Sequence, residues 1–201
     1  ARQHRNQLHR LVDALGEVHI AYGEGELIYL TNRRGYWSRL TLVPGDAYRP
    51  SIGLDQNRRV HIAFERSSPT LSYITDADGV SWKTSVVASS GRQPSIAVRG
   101  TAPSISYARV ADGSDGIYYA TRGTTTWTSV QPYAGNIGSE GNPSLKLDSS
   151  GKAHIAYQSA GSDIEYVTNT TGAWVRTGLG GGSGPTMILG LAGARHFTFA
   201  T

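Results

Sequence analysis

Apolar and polar residues alternate along this chain in runs of four to six, and the runs are separated by turns rich in Gly, Asp, Asn and Ser. Residues 51–54, 60–64, 71–75 and 82–87 show the pattern most clearly. Alternation with period two is that of a half-buried strand, and no stretch sustains the 3.6-residue period of an amphipathic helix. The pattern predicts an all-β chain whose unit is a meander of four short strands, A to D.

The unit repeats. Trp37, Trp82, Trp127 and Trp174 are 45, 45 and 47 residues apart. Each follows the same pair: Tyr29 and Thr31, Tyr73 and Thr75, Tyr119 and Thr121, Tyr166 and Thr168. Upstream, Pro50-Ser51-Ile52 recurs as Pro94-Ser95-Ile96 and Pro143-Ser144-Leu145, and Val60-His61-Ile62-Ala63-Phe64 recurs as Ala153-His154-Ile155-Ala156-Tyr157. A looser first copy runs from Leu11, and a partial last copy from Pro185 ends after His196 and Phe197. A single meander of this size cannot bury both faces, so repeats of this period pack face to face around an axis as propeller blades, with the Trp, Tyr and Phe columns between them. The boundaries expected are a basic segment 1–7, then blades 8–49, 50–93, 94–142 and 143–184, and a half blade 185–201. A five-bladed arrangement is the expectation.

The turn Thr75-Asp76-Ala77-Asp78-Gly79-Val80-Ser81-Trp82 resembles a degenerate Asp box, the hairpin turn of sialidase-like propellers. The other three copies are a residue shorter and lack the Asp. The resemblance implies a propeller fold and raises a glycoside hydrolase fragment as one function. That chemistry would need an Arg cluster, a Tyr nucleophile with a Glu partner, and an acid carboxylate. No linear motif assigns those roles here.

Composition narrows the rest. No apolar run reaches the roughly 18 to 20 residues of a spanning helix, so membrane insertion is not expected. The absence of Cys removes disulfides and thiolate chemistry and leaves the compartment undetermined. The net charge of +4 and pI near 9.4 raise an anionic polymer or nucleic acid as a ligand. The Arg residues, however, are scattered over many turns, so nucleic acid is not the expected partner.

His19, His61, His154 and His196 share one register at the start of strand B, with Ser104 in the remaining place. Repetition in blade after blade makes them scaffold groups, like the four Trp, and no metal or cofactor is called for. Function is expected where the copies differ, in the D-to-A and B-to-C loops on one rim. There lie Tyr48, Arg49, Arg92 and Tyr133, with Glu65 and Arg109, and around them Asp46, Asp112 and Glu140. Arg beside Tyr and carboxylates can take a hydroxyl-rich or anionic ligand by bidentate bonding and ring stacking. The reading is a non-catalytic binding propeller for a glycan or protein surface, with a second copy or another chain completing the half blade.

Overall fold

The computed structural model describes residues 8–110, 113–137, 141–190 and 193–201. The expected basic segment 1–7, Asp112 and Glu140 lie outside them.

Every strand among the described residues belongs to an antiparallel sheet. Blade 1 is built from β1 (Leu8–Val12), β2 (Val18–Thr31) and the first part of β3 (Ser38–Leu54). Blade 2 takes the last part of β3 with β4 (Val60–Glu65), β5 (Leu71–Thr75) and β6 (Lys83–Ala88). Blade 3 is β7 (Arg92–Arg99), β8 (Ala102–Arg109), β9 (Gly116–Arg122) and β10 (Trp127–Ala134). Blade 4 is β11 (Ser144–Leu147), β12 (Ala153–Gln158), β13 (Asp163–Thr168) and β14 (Val175–Gly181). The half blade is β15 (Ser183–Leu189) with β16 (Arg195–Ala200). Blades 3 and 4 are separate four-stranded sheets, whereas blades 1 and 2 share one six-stranded sheet because β3 passes from strand D of the first into strand A of the second. Strand β2 holds both B and C. Extended, its 14 residues would span about 46 Å at roughly 3.3 Å each. Instead Asn32 N–H donates to the Val18 carbonyl at 3.4 Å, so the strand doubles back, with Gly25 at a φ of 102° in the bend.

The repeated residues of strands A, B and C clasp each blade at one rim. The carboxylates of Asp13, Asp55 and Asp148 accept two backbone N–H groups each, two and four residues on, which fixes the A-to-B turn. The side-chain oxygens of Asn32, Asp76 and Asn169 accept the first N–H of strand B at 2.6 to 2.7 Å. The aligned His then bonds across the blade. His19, His61 and His154 place Nδ1 at 2.6, 2.5 and 2.6 Å from the hydroxyls of Tyr29, Tyr73 and Tyr166. Their Nε2 atoms face Asp13, Asp55 and Asp148 at 3.8, 3.6 and 3.5 Å. In blade 3 the shorter Ser104 takes the place of His and accepts from Tyr119 at 3.0 Å. His196 is exposed on β16.

The held Tyr receives an aromatic ring from the next blade. Trp82 meets Tyr29, Trp127 meets Tyr73, Trp174 meets Tyr119 and Phe197 meets Tyr166, with ring centroids 5.1 to 5.7 Å apart and planes at 61° to 73°. This edge-to-face geometry suits the ring quadrupoles. The innermost strands are stitched as well. The hydroxyls of Ser51, Ser95 and Ser144 accept the N–H groups of Ile96, Leu145 and Met187 in the following blade at 3.0 to 3.1 Å, and His9 Nδ1 serves Ile52 in the same way. This is why Pro-Ser recurs ahead of each strand A.

The four Trp occupy equivalent places, at or one residue before the start of strand D. The expectation that they fill the space between blades needs correction for Trp37, which is 57% exposed. Among the described residues no blade lies before it, while the other three are half-buried.

Replacing Ser95 with Ala leaves the buried Leu145 N–H without its acceptor. It is expected to lower the unfolding free energy in urea by about 1 to 3 kcal/mol; a loss below roughly 0.5 kcal/mol would contradict the stitch. The buried histidines give a pH dependence. Burial lowers the pKa of both His19 and His61 below 6.5, so the folded chain keeps them neutral while the unfolded chain protonates. Their contribution is therefore complete above pH of about 6.5 and is lost as the pH falls below it. His61→Ser, which copies blade 3, should flatten the fall in melting temperature between pH 7 and 5, and an unchanged fall would contradict this assignment.

Candidate functional site

The expected ligand residues lie at one rim, yet all six sit in strands and not in loops. Tyr48 and Arg49 are on β3, Glu65 on β4, Arg92 on β7, Arg109 on β8 and Tyr133 on β10. The D-to-A connection of blade 1 is continuous strand because Tyr48 has a Cα partner on each side, Glu24 and Glu65. The residue ahead of each strand-A proline carries the bend. Arg49, Gln93, Asn142 and Gly184 all have positive φ, at 47°, 52°, 39° and 60°. For the three that are not glycine this conformation is costly and must be held by its surroundings.

The preceding blade supplies the hold. Glu65 accepts the Gln93 N–H at 3.0 Å, Gln93 accepts the Asn142 N–H at 3.1 Å, and Gln158 accepts the Gly184 N–H at 3.3 Å. Glu65 also takes Arg49 Nη1 at 2.8 Å, with side chains 33% and 11% exposed. Arg49 and Glu65, two of the rim residues named from the sequence, are thus joined in the bracket between blades 2 and 3. Arg92 is exposed, with no side-chain partner among the described residues. A shallow hollow of about 380 Å³ lies on blade 1 between Glu24, Gly25, Glu26, Pro44 and Gly45.

Chemistry available to a ligand gathers in the gaps between blades. In each of three gaps a guanidinium lies across a ring: Arg66 over Phe64 at 5.2 Å, Arg109 over Tyr118 at 5.7 Å and Arg176 over Tyr133 at 5.3 Å. The flanking columns differ from gap to gap. Phe64, Tyr107 and Tyr157 are one repeat position near the end of strand B; Ser72, Tyr118 and Glu165 are one on strand C; Thr84, Ser129 and Arg176 are one on strand D.

Between blades 1 and 2, Arg66 Nε donates to Ser72 Oγ at 3.0 Å and its Nη1 lies 3.9 Å from Asp46. Between blades 2 and 3, Tyr118 stacks on Tyr107 at 5.4 Å, whose hydroxyl donates to Ser129. Between blades 3 and 4, Arg176 Nε is 3.7 Å from Glu165 Oε2, and Tyr133 leans on Tyr157 at 5.1 Å. The Tyr157 hydroxyl and Glu165 Oε2 are buried without a hydrogen-bond partner among the described residues. Burial, reinforced by the Glu165 charge, pushes the Tyr157 pKa well above 10, so the hydroxyl keeps its proton and remains a donor.

Of these gap residues the sequence reading named Tyr133, Arg109 and, around them, Asp46. It missed Tyr118, Tyr157, Glu165 and Arg176, which lie within strands. The readable signal was the column immediately before the repeated Tyr, where Ser72, Tyr118 and Glu165 disagree while their neighbour stays constant.

Arg176→Ala removes the cation from Glu165 and from the Tyr133 ring. It is expected to leave folding intact, since Arg176 is mostly exposed, and to raise further the pH at which Tyr157 titrates by absorbance, because the Arg176 cation opposes the effect of burial there. Identical titrations would contradict the cluster.

No protein-family model and no curated protein sequence matches this chain. Solved structures do. The N224Q mutant of the Aleuria aurantia lectin, in complex with Fucα1-6GlcNAc, superposes with a TM-score of 0.68 at 12% identity over 91% of this chain and 68% of that one. Another structure of that lectin, described as a six-bladed β-propeller, gives a TM-score of 0.66 at 12% identity over 90% and 67%. The GH93 α-L-arabinofuranosidase of Fusarium graminearum with arabinobiose gives 0.66 at 13% identity over 96% and 74%. At these identities the likeness is one of fold. It supports a propeller repeat and does not single out the sialidase-like Asp box. The chain folds as successive blades of a β-propeller.

Proposed function

We propose that this chain is a non-catalytic glycan-binding propeller whose principal site is the gap between blades 3 and 4. The observation that carries this reading is the Glu165–Arg176 pair, 3.7 Å apart, set beside the Tyr133 ring and the Tyr157 hydroxyl. A sugar ring presents neighbouring hydroxyls, which both donate and accept, and an apolar C–H face. Carboxylate and guanidinium meet the first need and an aromatic ring the second. The alternative reading as a hydrolase would require a carboxylate able to pass protons, whereas Glu65 is fixed by Arg49 and the Gln93 N–H. The solved structures of similar fold include a lectin bound to a fucosylated disaccharide, which favours sugar as the ligand class.

The test is a glycan array read with the wild-type chain and with Arg176→Ala, Glu165→Gln and Arg49→Ala. Losing a charge-assisted hydrogen bond costs about 1.5 to 3 kcal/mol, so Arg176→Ala should weaken the recognised glycan by roughly 10- to 100-fold. Glu165→Gln should weaken it less, and Arg49→Ala should change stability more than binding. Full retention of binding by Arg176→Ala would overturn the site.

A further inference from the structure

Two polar atoms in the gap between blades 3 and 4 have no hydrogen-bond partner among the described residues, although both are buried: the Tyr157 hydroxyl and Glu165 Oε2. Tyr157 on β12 and Glu165 on β13 are direct cross-strand partners, so the two atoms share one face of blade 4. The repeat shows why the hydroxyl is left over. Phe64, at the same position in blade 2, has no hydroxyl. Tyr107, at that position in blade 3, donates to Ser129 Oγ at 3.1 Å. In blade 4 the strand-D residue equivalent to Ser129 is Arg176, and a guanidinium accepts nothing. Glu165 is left over for a related reason, since Arg176 Nε stands 3.7 Å from Oε2, an ionic contact beyond hydrogen-bond reach. A buried donor or acceptor without a partner costs its full desolvation, which a partner from outside the chain restores.

We infer that Tyr157, Glu165 and Arg176 form a socket for a single hydroxyl of the ligand, so that the site selects sugars by a free hydroxyl at one ring position. This rests on the reading of the gap as a glycan site. A hydroxyl carries two acceptor lone pairs and one donor hydrogen, and the socket offers the complement. Tyr157 and Arg176 donate, and Glu165 Oε2 accepts. Other substituents at that position fit less well. A C–H leaves all three groups unpaired, a methyl ether has no hydrogen for Glu165, and an amide N–H has no lone pair for Tyr157 or Arg176. Entry is through Arg176, whose side chain is 54% exposed and makes no hydrogen bond to Glu165, so that it can swing aside and then close on the hydroxyl. The Tyr133 ring, tilted on Tyr157 at 5.1 Å, stands beside the socket for the adjoining C–H face. The other two gaps have no such socket, because Ser72 is bonded to Arg66 and Tyr107 to Ser129 within the chain.

The test titrates the wild-type chain with the methyl glycosides of galactose, glucose, mannose and fucose, and then with the monodeoxy and mono-O-methyl derivatives of the one that binds best. Deoxygenation or methylation at one ring position should weaken binding by roughly 10- to 100-fold. Tyr157→Phe is the informative variant, and it should fold, because Phe64 fills the same place in blade 2. It should weaken the parent glycoside by roughly 5- to 50-fold and leave the affinity for the derivative deoxygenated at that position nearly unchanged. A purely structural role for Tyr157 would lower both affinities alike. Equal losses for the two ligands, or full affinity of Tyr157→Phe for the parent, would overturn the socket, and a resident water would then be the partner of the Tyr157 hydroxyl. If Arg176→Ala still weakens the parent glycoside in that event, the glycan reading of the gap stands and only the socket falls. Full affinity of Arg176→Ala, or no binding of any of the four glycosides to the wild-type chain, would remove that reading and the socket with it.

Discussion

The structure depends on one contact, the edge of an aromatic ring from one blade against the face or edge of a tyrosine in the blade before it. A four-stranded sheet has two apolar faces, and each must be covered by another sheet. The tyrosine can serve as the receiving surface only if its polar end is satisfied, and the aligned His or Ser of strand B provides that bond at 2.5 to 3.0 Å. The His is held in turn beside an Asp whose other oxygen closes the A-to-B turn. Turn, imidazole, phenol and neighbouring indole thus form a chain of dependence running from one rim of a blade into the next. The Tyr29 pKa, pushed up to about 12 by burial, reflects how far this device lies from water.

Such a scaffold divides the chain into columns that cannot vary and columns that can. The Thr at the end of strand C is the same in all four blades, whereas the Asp of the turn recurs in three, with Arg99 in its place in blade 3, and the Ser that stitches strand A recurs in three, with His9 in its place in blade 1. The positions one residue before the repeated Tyr on strand C, and two after Trp on strand D, face the gap between blades at a level where the packing tolerates Ser, Tyr or Glu and Thr, Ser or Arg. The three gaps consequently share a framework and differ in hydrogen-bonding character. The gap between blades 3 and 4 alone, among the described residues, pairs a carboxylate with a guanidinium across strands C and D.

Much of the fold was legible because side-chain periodicity and repeat period agree: the four strands of blade 2 fall within a residue or so of the runs read from alternation. The continuity of β3 was not legible. Asp46, Tyr48 and Arg49 sit among Pro and Gly and read as a loop, while the bends that keep them in a strand come from positive φ at non-glycine residues, which composition does not reveal. The candidate site was partly legible. Arg49 and Glu65 were both read as rim residues, but their ion pair was not legible, because no sequence pattern shows that Glu65 also braces the Gln93 backbone in the next blade. Glu165 and Arg176 were passed over because they lie within strands, where a charged residue reads as solvent-facing; their position in a gap follows from register and from the blade packed against them. The exposure of Trp37 has the same origin, since burial of a repeated residue is a property of its neighbour and not of its own sequence.

The central claim is that the ring contact between blades couples them energetically, beyond the burial of either residue alone. A double-mutant cycle on Trp127 and Tyr73, using Trp127→Leu, Tyr73→Leu and the pair in urea unfolding, measures that coupling directly. The account expects a coupling of about 0.5 to 1.5 kcal/mol, the range of aromatic pairs in edge-to-face geometry. Strictly additive losses from the two substitutions would contradict it.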